Sequence, residues 1–232
     1  MAETLVLIPG LANTSSLYEA QIRALSPLPK VVVADHARDD SMAGIAARLL
    51  AAAPERFALA GLSMGGYVAM EVLRQAPERV ERVAFLDTTA RPDTEQAREE
   101  RLRMIALAEG GRFEDVVSRL WPRLVSKRGQ EDAGLKARVT GMMREVGPEA
   151  YVRQQRAILS RPDSRSLLPQ IEIPALVLVG EEDAITPPDV AREMAEMIEW
   201  ASLVVVPGAG HLSTLERPEE VSRALRIWLE KA

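Results

Sequence analysis

The sequence predicts an α/β fold, a doubly wound and mostly parallel sheet of about six strands that a helical segment interrupts. Two observations support this prediction. Short apolar runs alternate with helical patterns in both ends of the chain, whereas the middle, from about 92 to 165, contains no strand candidate. Continuous apolar strands joined by helices indicate a parallel sheet that is covered on both faces. Right-handed crossovers then wind the helices around the sheet.

The first part of the chain contains four strand candidates. They are the apolar runs at 4–10, 30–35, 56–63 and 80–89. The second run holds three consecutive valines, which are stiff at χ1 and fit a sheet. Helices are predicted between these strands at 15–28, 41–54 and 64–77. Ser41 precedes the second of these helices and is its predicted N-cap.

The middle segment has a different composition. Arg, Glu, Met and Leu dominate it, and glycine- or proline-containing turns divide it into four predicted helices at roughly 94–108, 112–126, 131–145 and 148–160. Strands are predicted again at 173–183 and 202–208, with helices at about 187–198 and 217–232. We therefore divide the chain into an α/β core, residues 1–90 and 166–232, and an inserted helical cap, residues 91–165.

Composition excludes several classes of protein and site. The 232 residues carry a net charge of −5, and no basic block stands out, so nucleic acid is not an expected partner. The absence of cysteine excludes disulfides, thiol catalysis and zinc–thiolate sites, and two histidines are too few for a His-rich metal site. We expect no metal and no cofactor.

The N-terminus and the hydropathy pattern give an expectation about location. No basic segment followed by a long apolar core is visible at the N-terminus, and no apolar run approaches the ~18 residues that a membrane span needs. We therefore expect no membrane partner and a cytoplasmic protein. The oligomeric state stays open.

The stretch "AGLSMGGYVAM", 60–70, is the strongest functional signal. Ser63 follows a predicted strand and precedes a predicted helix, which is the context of a nucleophile elbow. Gly61 and Gly65 stand two residues before and after it, where a sharp turn requires small residues. The alternative is a glycine-rich turn that holds a bystander serine. Because of its strand–turn–helix context, we interpret Ser63 as a catalytic nucleophile.

A serine nucleophile needs a base and an orienting carboxylate. His211 follows the last predicted strand, at the same sheet edge as Ser63, and is the predicted base. His36 also follows a strand, but its acidic loop "DHARDD" indicates a solvated turn. Asp183, in the "EED" that ends the strand after the cap, is the preferred carboxylate, and Asp87 is the second candidate. In the following "AITPP", Thr186 is a possible N-cap of the next helix.

An acyl-transfer site also needs donors for an oxyanion. The residue after the nucleophile supplies one backbone N–H, here Met64. The loop after the first strand should supply the second, because Gly10 permits a tight turn that directs the Leu11 N–H toward Ser63. The alternative is that Pro9 and Gly10 merely end the strand.

Four segments together resemble the α/β-hydrolase superfamily. They are "LVLIPGLANTSSLYEAQ", "AGLSMGGYVAMEVL", "LVLVGEEDAITPP" and "VPGAGHLSTLERPEEV", and they place Ser63, Asp183 and His211 in the family's chain order. The first departs from the common His-Gly form, because Pro9 precedes Gly10. The resemblance implies a core that lacks the fold's first two strands. The cap is similar to that of small-cap members such as enol-lactonases and carboxylesterases.

The resemblance also narrows the function. Related dehalogenases and epoxide hydrolases carry aspartate at the elbow, so Ser63 favours acyl chemistry. We expect a serine hydrolase that cleaves a small carboxylic ester, lactone or thioester through an acyl-enzyme. A cofactor-free lyase, a C–C hydrolase, and a small-molecule receptor with vestigial activity are the alternatives.

The cap is expected to supply the substrate pocket. Apolar candidates for its lining are Met104, Trp121, Leu124, Met142 and Met143, although each of them also fits a role in helix packing. The polar run 153–156 could contact a substrate, but a solvated helix face is the favoured interpretation.

Overall fold

The computed structural model describes residues 3–27 and 29–231. Leu28 and Ala232, which end two of the predicted helices, lie outside the described residues. The strands are β1 (Thr4–Ile8), β2 (Lys30–Val33), β3 (Phe57–Leu62), β4 (Val80–Leu86), β5 (Ala175–Gly180) and β6 (Ala201–Val206). Each of the six coincides with a predicted strand and is shorter than predicted by one to five residues.

All six strands lie in one parallel sheet. Their order across the sheet is β2-β1-β3-β4-β5-β6, and each neighbouring pair is parallel. The predicted α/β fold class is therefore confirmed. Because every strand points the same way, the loops that follow the strands meet at one edge of the sheet.

Nine α-helices accompany the sheet in the described part of the chain. They are α1 (Glu19–Leu25), α2 (Met42–Ala52), α3 (Met64–Gln75), α4 (Glu95–Glu109), α5 (Phe113–Leu120), α6 (Ala133–Leu159), α7 (Pro188–Met197), α8 (Ser213–Glu216) and α9 (Pro218–Glu230). The Ser41 side chain accepts from the Gly44 N–H, as expected of the N-cap of α2.

The alternation of side chains along β3 explains why helices cover both faces of the sheet. Phe57 and Leu59 point into a core with α2, α3 and α7, whereas Ala58 and Ala60 belong to a second core with α1, α9 and the helices that follow β4. Both faces of the strand are apolar, so burial on both faces is the stable arrangement.

The helices α4, α5 and α6 lie between β4 and β5 in the chain, within the predicted cap. The helix α6 kinks at Gly147, where φ is 76°, immediately before Pro148. This kink separates two segments that match the predicted helices 131–145 and 148–160. The half-buried Asp93 carboxylate joins the start and the end of this segment, since it bonds both Arg101 of α4 and Arg161, which follows α6. In residues 3–27 and 29–231, no helix is both long and apolar enough to cross a membrane.

Candidate active site

Ser63 stands at a strained turn between β3 and α3. Its backbone angles are φ 55° and ψ −114°, which residues other than glycine rarely adopt. Two contacts to the end of β4 hold this conformation. The Ser63 N–H donates to the Leu86 carbonyl at 2.9 Å, and the Thr88 hydroxyl donates to the Ser63 carbonyl at 2.8 Å. The serine side chain is thereby presented, half-buried, at the edge of the sheet.

The flanking glycines allow the backbone to approach itself closely. A Cβ atom on Gly61 would lie 2.1 Å from the Gly65 carbonyl oxygen, and one on Gly65 would lie 2.1 Å from the Ile8 carbonyl oxygen. Since these neighbours are backbone atoms, neither could move aside without displacing a strand or a helix. The prediction that this sharp turn requires small residues at both positions is confirmed.

Side chains from three strand ends form one chain of hydrogen bonds. His211 Nε2 lies 2.8 Å from Ser63 Oγ, and His211 Nδ1 lies 2.8 Å from Asp183 Oδ2. Both His211 and Asp183 are buried. The structure thus brings together the three residues that we selected as nucleophile, base and orienting carboxylate.

Asp183 is itself held by the turn that follows it. Its Oδ1 accepts from the backbone N–H groups of Ile185 and Thr186 at 2.8 and 3.0 Å, and its Oδ2 accepts from the Thr186 hydroxyl at 2.7 Å. We gave Thr186 as a possible N-cap of α7, but Pro187 occupies that position. A carboxylate only accepts, so the proton of neutral His211 lies on Nδ1 and Nε2 can accept from Ser63.

The charges of the pair are mutually stabilising. Burial alone would lower the pKa of His211, but the Asp183 carboxylate and its hydrogen bond outweigh burial and raise it above the ordinary value. Burial would likewise raise the pKa of Asp183, but the charge of His211 and the hydrogen bonds lower it. The site therefore favours an imidazolium beside a carboxylate, the state that follows proton transfer from a nucleophile.

Asp87, the second carboxylate candidate, serves a different contact. It is fully buried, and it accepts from the Gly180 N–H at 2.8 Å and from the Ser213 hydroxyl at 2.5 Å. Burial, followed by the charge of Asp183, raises the pKa of Asp87 well above its ordinary value. Asp87 thus joins the segments that carry Asp183 and His211 without contacting the imidazole.

The two proposed oxyanion donors flank the serine. Met64 is the first residue of α3. Leu11 follows Gly10, where an added Cβ atom would lie 3.3 Å from the Leu62 side chain. Among the hydrogen bonds of the described residues, none uses the backbone N–H of Leu11 or Met64 as a donor. Neither amide is used within the described structure, and their role as an oxyanion hole stays a prediction.

His36 is not in a solvated turn, which corrects our interpretation of its loop. The ring is only 5% exposed, and its Nε2 lies 3.0 Å from the Gly10 carbonyl oxygen. The acidic residues after it, Asp39 and Asp40, do face solvent more openly. The charge pattern correctly predicts that the acidic residues of the loop face solvent, but it does not predict that the His36 ring is buried. The ring turns inward because the Gly10 carbonyl offers it an acceptor.

A cavity of about 130 Å³ opens beside Ser63 and His211. Its other lining residues are Leu11, Asn13, Leu62, Tyr67, Ala97, Glu100, Arg101, Met104, Leu120, Arg123, Leu124, Gln155, Ile158, Ile185 and Leu212. Met104 and Leu124 therefore lie where we expected. Trp121, Met142 and Met143 do not, since they are buried in the core that the cap shares with the sheet and are absent from the cavity wall. Helix packing, the alternative, describes these three residues.

The polar run 153–156 is not a solvated face throughout. Gln154 and Gln155 are almost completely buried. Gln154 Oε1 accepts from the Ala12 N–H at 2.9 Å, and Gln155 accepts from Arg101 and donates to Tyr151. Of the four residues, only Arg156 is exposed. The amide side chains are buried because each meets a polar partner there.

The described residues hold no cluster of three or more His, Cys, Asp or Glu side chains that could bind a metal ion. Near Ser63, the His211 imidazole and the Asp183 carboxylate are instead paired with each other. The arrangement can transfer a proton from a hydroxyl to an imidazole and hold the resulting positive charge.

Comparison with known proteins places this arrangement in a family. A model described as "Alpha/beta hydrolase family" matches residues 5–224. The chain belongs to the alpha/beta hydrolase family. A pimeloyl-[acyl-carrier protein] methyl ester esterase of Nitrosomonas europaea is 29% identical to this alpha/beta hydrolase over 235 residues, covering 93% of the chain and 91% of the relative.

Two solved structures resemble this alpha/beta hydrolase over nearly its whole length. A thermophilic esterase from Thermogutta terrifontis is 31% identical with a TM-score of 0.89, covering 97% of this chain and 89% of that one. The enol-lactonase from Burkholderia xenovorans is 24% identical with the same TM-score, covering 100% and 92%. The second likeness concerns the fold alone.

The contacts of several polar residues of this alpha/beta hydrolase were not predicted from its sequence. Thr88 and Thr186 each follow a strand end by two to six residues, so their position was a usable signal. Gln154 carried no such signal, because its partner Ala12 is 142 residues away. That contact depends on how α6 packs against the loop that follows β1.

Proposed function

We propose that this chain hydrolyses small carboxylic esters, lactones or thioesters through an acyl-enzyme. The observation that carries the proposal is the unbroken chain of 2.8 Å contacts from Ser63 through His211 to Asp183 at the wall of a cavity. The ester-hydrolase activity in the names of the N. europaea and T. terrifontis proteins supports it.

The first half of the reaction acylates Ser63. Its Oγ attacks the acyl carbon while His211 Nε2 takes the hydroxyl proton, and Asp183 stabilises the imidazolium. The Leu11 and Met64 N–H groups bind the oxyanion that forms. When the intermediate collapses, the bond to the alcohol or thiol breaks, and the leaving group receives the proton from His211.

The second half releases the acid. Water attacks the acyl carbon as His211 takes one of its protons, and the same two amides bind the second oxyanion. The bond to Ser63 Oγ then breaks, and the proton returns to the serine. The enzyme is regenerated with a carboxylic acid as product.

The cavity limits the size of the group that it can hold. An apolar protein cavity of about 150 Å³ accommodates benzene, so about 130 Å³ accommodates an acyl or alkoxy group of roughly four to six heavy atoms. Leucine, isoleucine and methionine side chains form most of its apolar wall. We propose that the smaller side of the ester occupies this cavity and that larger substituents extend through its opening.

The test combines turnover with labelling. Wild-type protein should hydrolyse short-chain p-nitrophenyl esters, and a fluorophosphonate probe should modify Ser63, located by peptide mass spectrometry. Ser63→Ala should fold with an unchanged circular dichroism spectrum and lose turnover by about 10⁴-fold or more. Full esterase activity of Ser63→Ala would refute the mechanism. Labelling without turnover of esters, lactones or thioesters would instead favour a lyase or a receptor.

A further inference from the structure

The peptide group between Gly10 and Leu11 is held by its carbonyl. The Gly10 oxygen accepts from His36 Nε2–H at 3.0 Å and from the Asn13 backbone N–H at 3.2 Å. A carbonyl oxygen has two lone pairs, so these two donors use both. The His36 ring comes from the loop after β2, and Asn13 from the same turn as Gly10.

This carbonyl fixes the direction of the neighbouring N–H. A peptide group is planar and trans, so the Gly10 C=O and the Leu11 N–H point in opposite directions. If the carbonyl is held toward His36, the N–H is directed away from His36. Leu11 and Ser63 both line the cavity, whereas His36 is not among its lining residues. A rotation of this one peptide would place a carbonyl oxygen where an oxyanion has to bind.

We propose that His36 is a positioning residue, which orients the Leu11 N–H for the oxyanion by holding the Gly10 carbonyl. The proposal rests on the proposed function, because it assigns a task within the acyl-transfer reaction. His36 contacts neither Ser63 nor His211 in the described structure. It acts through the backbone alone.

The ionisation of His36 agrees with this role. Burial is the largest influence and lowers the pKa of His36, although the contact with Gly10 and the charge of Asp35 act in the opposite direction. The ring is therefore neutral at neutral pH. A carbonyl can only accept, so we assign the single ring proton to Nε2. If Nδ1 also became protonated, the Nε2–H group would still donate to the Gly10 carbonyl.

The peptide on the other side of Leu11 is held from the cap. The Ala12 N–H donates to Gln154 Oε1 of α6 at 2.9 Å, and Ala12 has a φ of 56°, in the left-handed region that alanine avoids. Leu11 thus lies between one peptide held by the core and one held by the cap. Gln154 provides the second variant with which the proposal is tested.

The decisive experiment compares His36→Leu with His36→Gln on a short p-nitrophenyl ester. Leucine removes the donor, whereas glutamine carries an amide N–H at similar reach. We expect kcat to fall about 10- to 100-fold in His36→Leu, below the ~10²–10³ that loss of an oxyanion donor costs. KM should change less than about threefold, and His36→Gln should recover most of kcat. Gln154→Leu should lower kcat in the same way.

A transition-state analogue separates positioning from a general loss of stability. An alkyl boronic acid, which forms a tetrahedral adduct with the serine, should bind His36→Leu more weakly by the same factor as kcat/KM falls. Arg82→Met is the matched control, because it removes a buried donor to the Trp228 and Lys231 carbonyls, away from the sheet edge that holds Ser63. It should lower the thermal midpoint and leave kcat unchanged.

Two results would overturn the proposal while the proposed function stands. One is wild-type kcat in a folded His36→Leu, with Ser63→Ala inactive beside it. The other is a displaced acid limb in the pH profile of kcat/KM for His36→Leu, as removal of a catalytic base would cause. His36 would then be a group that titrates in the reaction. Activity that persists in Ser63→Ala would instead refute the proposed function itself.

Discussion

The sheet edge and the cap are held together by different kinds of contact. At the sheet edge, backbone approaches backbone more closely than a Cβ would allow, and buried carboxylates accept from N–H and hydroxyl donors. In the helical segment between β4 and β5, apolar side chains pack between helices, and ion pairs such as Arg144–Glu114 and Arg156–Glu109 are about half exposed, whereas the pairs of Asp93 with Arg101 and Arg161 are mostly buried. Exposed pairs of this kind contribute little to stability.

The two regions therefore differ in how precisely their atoms have to be placed. In the proposed mechanism, proton transfer from Ser63 to His211, with Asp183 holding the imidazole, requires distances near 2.8 Å, which a rigid backbone maintains. A cavity wall of leucine, isoleucine and methionine can change volume by substitution without moving those atoms. We therefore expect substitutions in the cavity wall to alter the substrate preference while the proposed reaction is kept. The predictions below test this division.

Of the substitutions that compare the two regions, Asp183→Asn is expected to have the largest effect. An amide in place of the carboxylate donates to His211 and favours the wrong tautomer, so kcat should fall by about 10³- to 10⁴-fold. The Asp183 charge raises the pKa of His211, and the neutral imidazole is the base, so activity falls as pH drops through that pKa. In Asp183→Asn the acid limb of the residual kcat/KM should therefore move to lower pH.

The exposed Asp189 of α7 offers the control for this substitution, since Asp189→Asn removes a carboxylate six residues away. It should leave the pH profile in place. If Asp183→Asn lost less than about tenfold, another group would orient the imidazole, and the buried Asp87 would be the first to test.

Gly65→Ala should disrupt the sheet edge through its backbone. The new Cβ would lie 2.1 Å from the Ile8 carbonyl oxygen and 2.9 Å from that of Pro9, so β1 and α3 would have to separate. Overpacking typically costs ~1–3 kcal/mol and more where the neighbours are rigid, so we expect the upper end or beyond. Denaturant unfolding and kcat should both show the loss. An active variant of wild-type stability would show that the elbow is more pliable than these distances imply.

The sequence was most informative where function depends on strand ends. Ser63, Asp183 and His211 each follow an apolar run closely, and parallel strands bring such positions to one edge, so their proximity could be predicted without coordinates. No comparable rule predicts which residues of the helical segment lie near one another. Trp121, Met142 and Leu124 are all apolar residues of predicted helices, so the sequence does not distinguish their roles. Only the packing of the helices decides which of them lines the cavity. His36 turned inward because of an acceptor from another loop, which no local pattern indicates.

Leu124→Ala and Met142→Ala test that distinction. Leu124 lines the cavity, so its truncation should shift the ratio of kcat/KM for longer over shorter acyl chains by up to about tenfold, at ~0.8 kcal/mol per methylene. Met142 is 3% exposed and away from the cavity wall, so Met142→Ala should cost ~2–5 kcal/mol of stability and leave the ratio unchanged. A panel of p-nitrophenyl acetate to octanoate measures the ratio, and urea unfolding measures the stability. An altered ratio in Met142→Ala would return that residue to the substrate pocket.

The smallest effect is expected for Gly141→Ala in α6, the counterpart of Gly65→Ala in the other region. Gly141 lies inside a helix on an exposed face, and a Cβ there would meet nothing within 4 Å. Replacing glycine by alanine within a helix typically stabilises by ~0.5–1 kcal/mol, because the unfolded chain loses freedom. The urea midpoint should therefore rise with kcat and KM unchanged. A fall in stability that grows with protein concentration would mean that a second copy covers this face of the cap. The cap would then be constrained as tightly as the sheet edge, and the contrast between the two regions would fail.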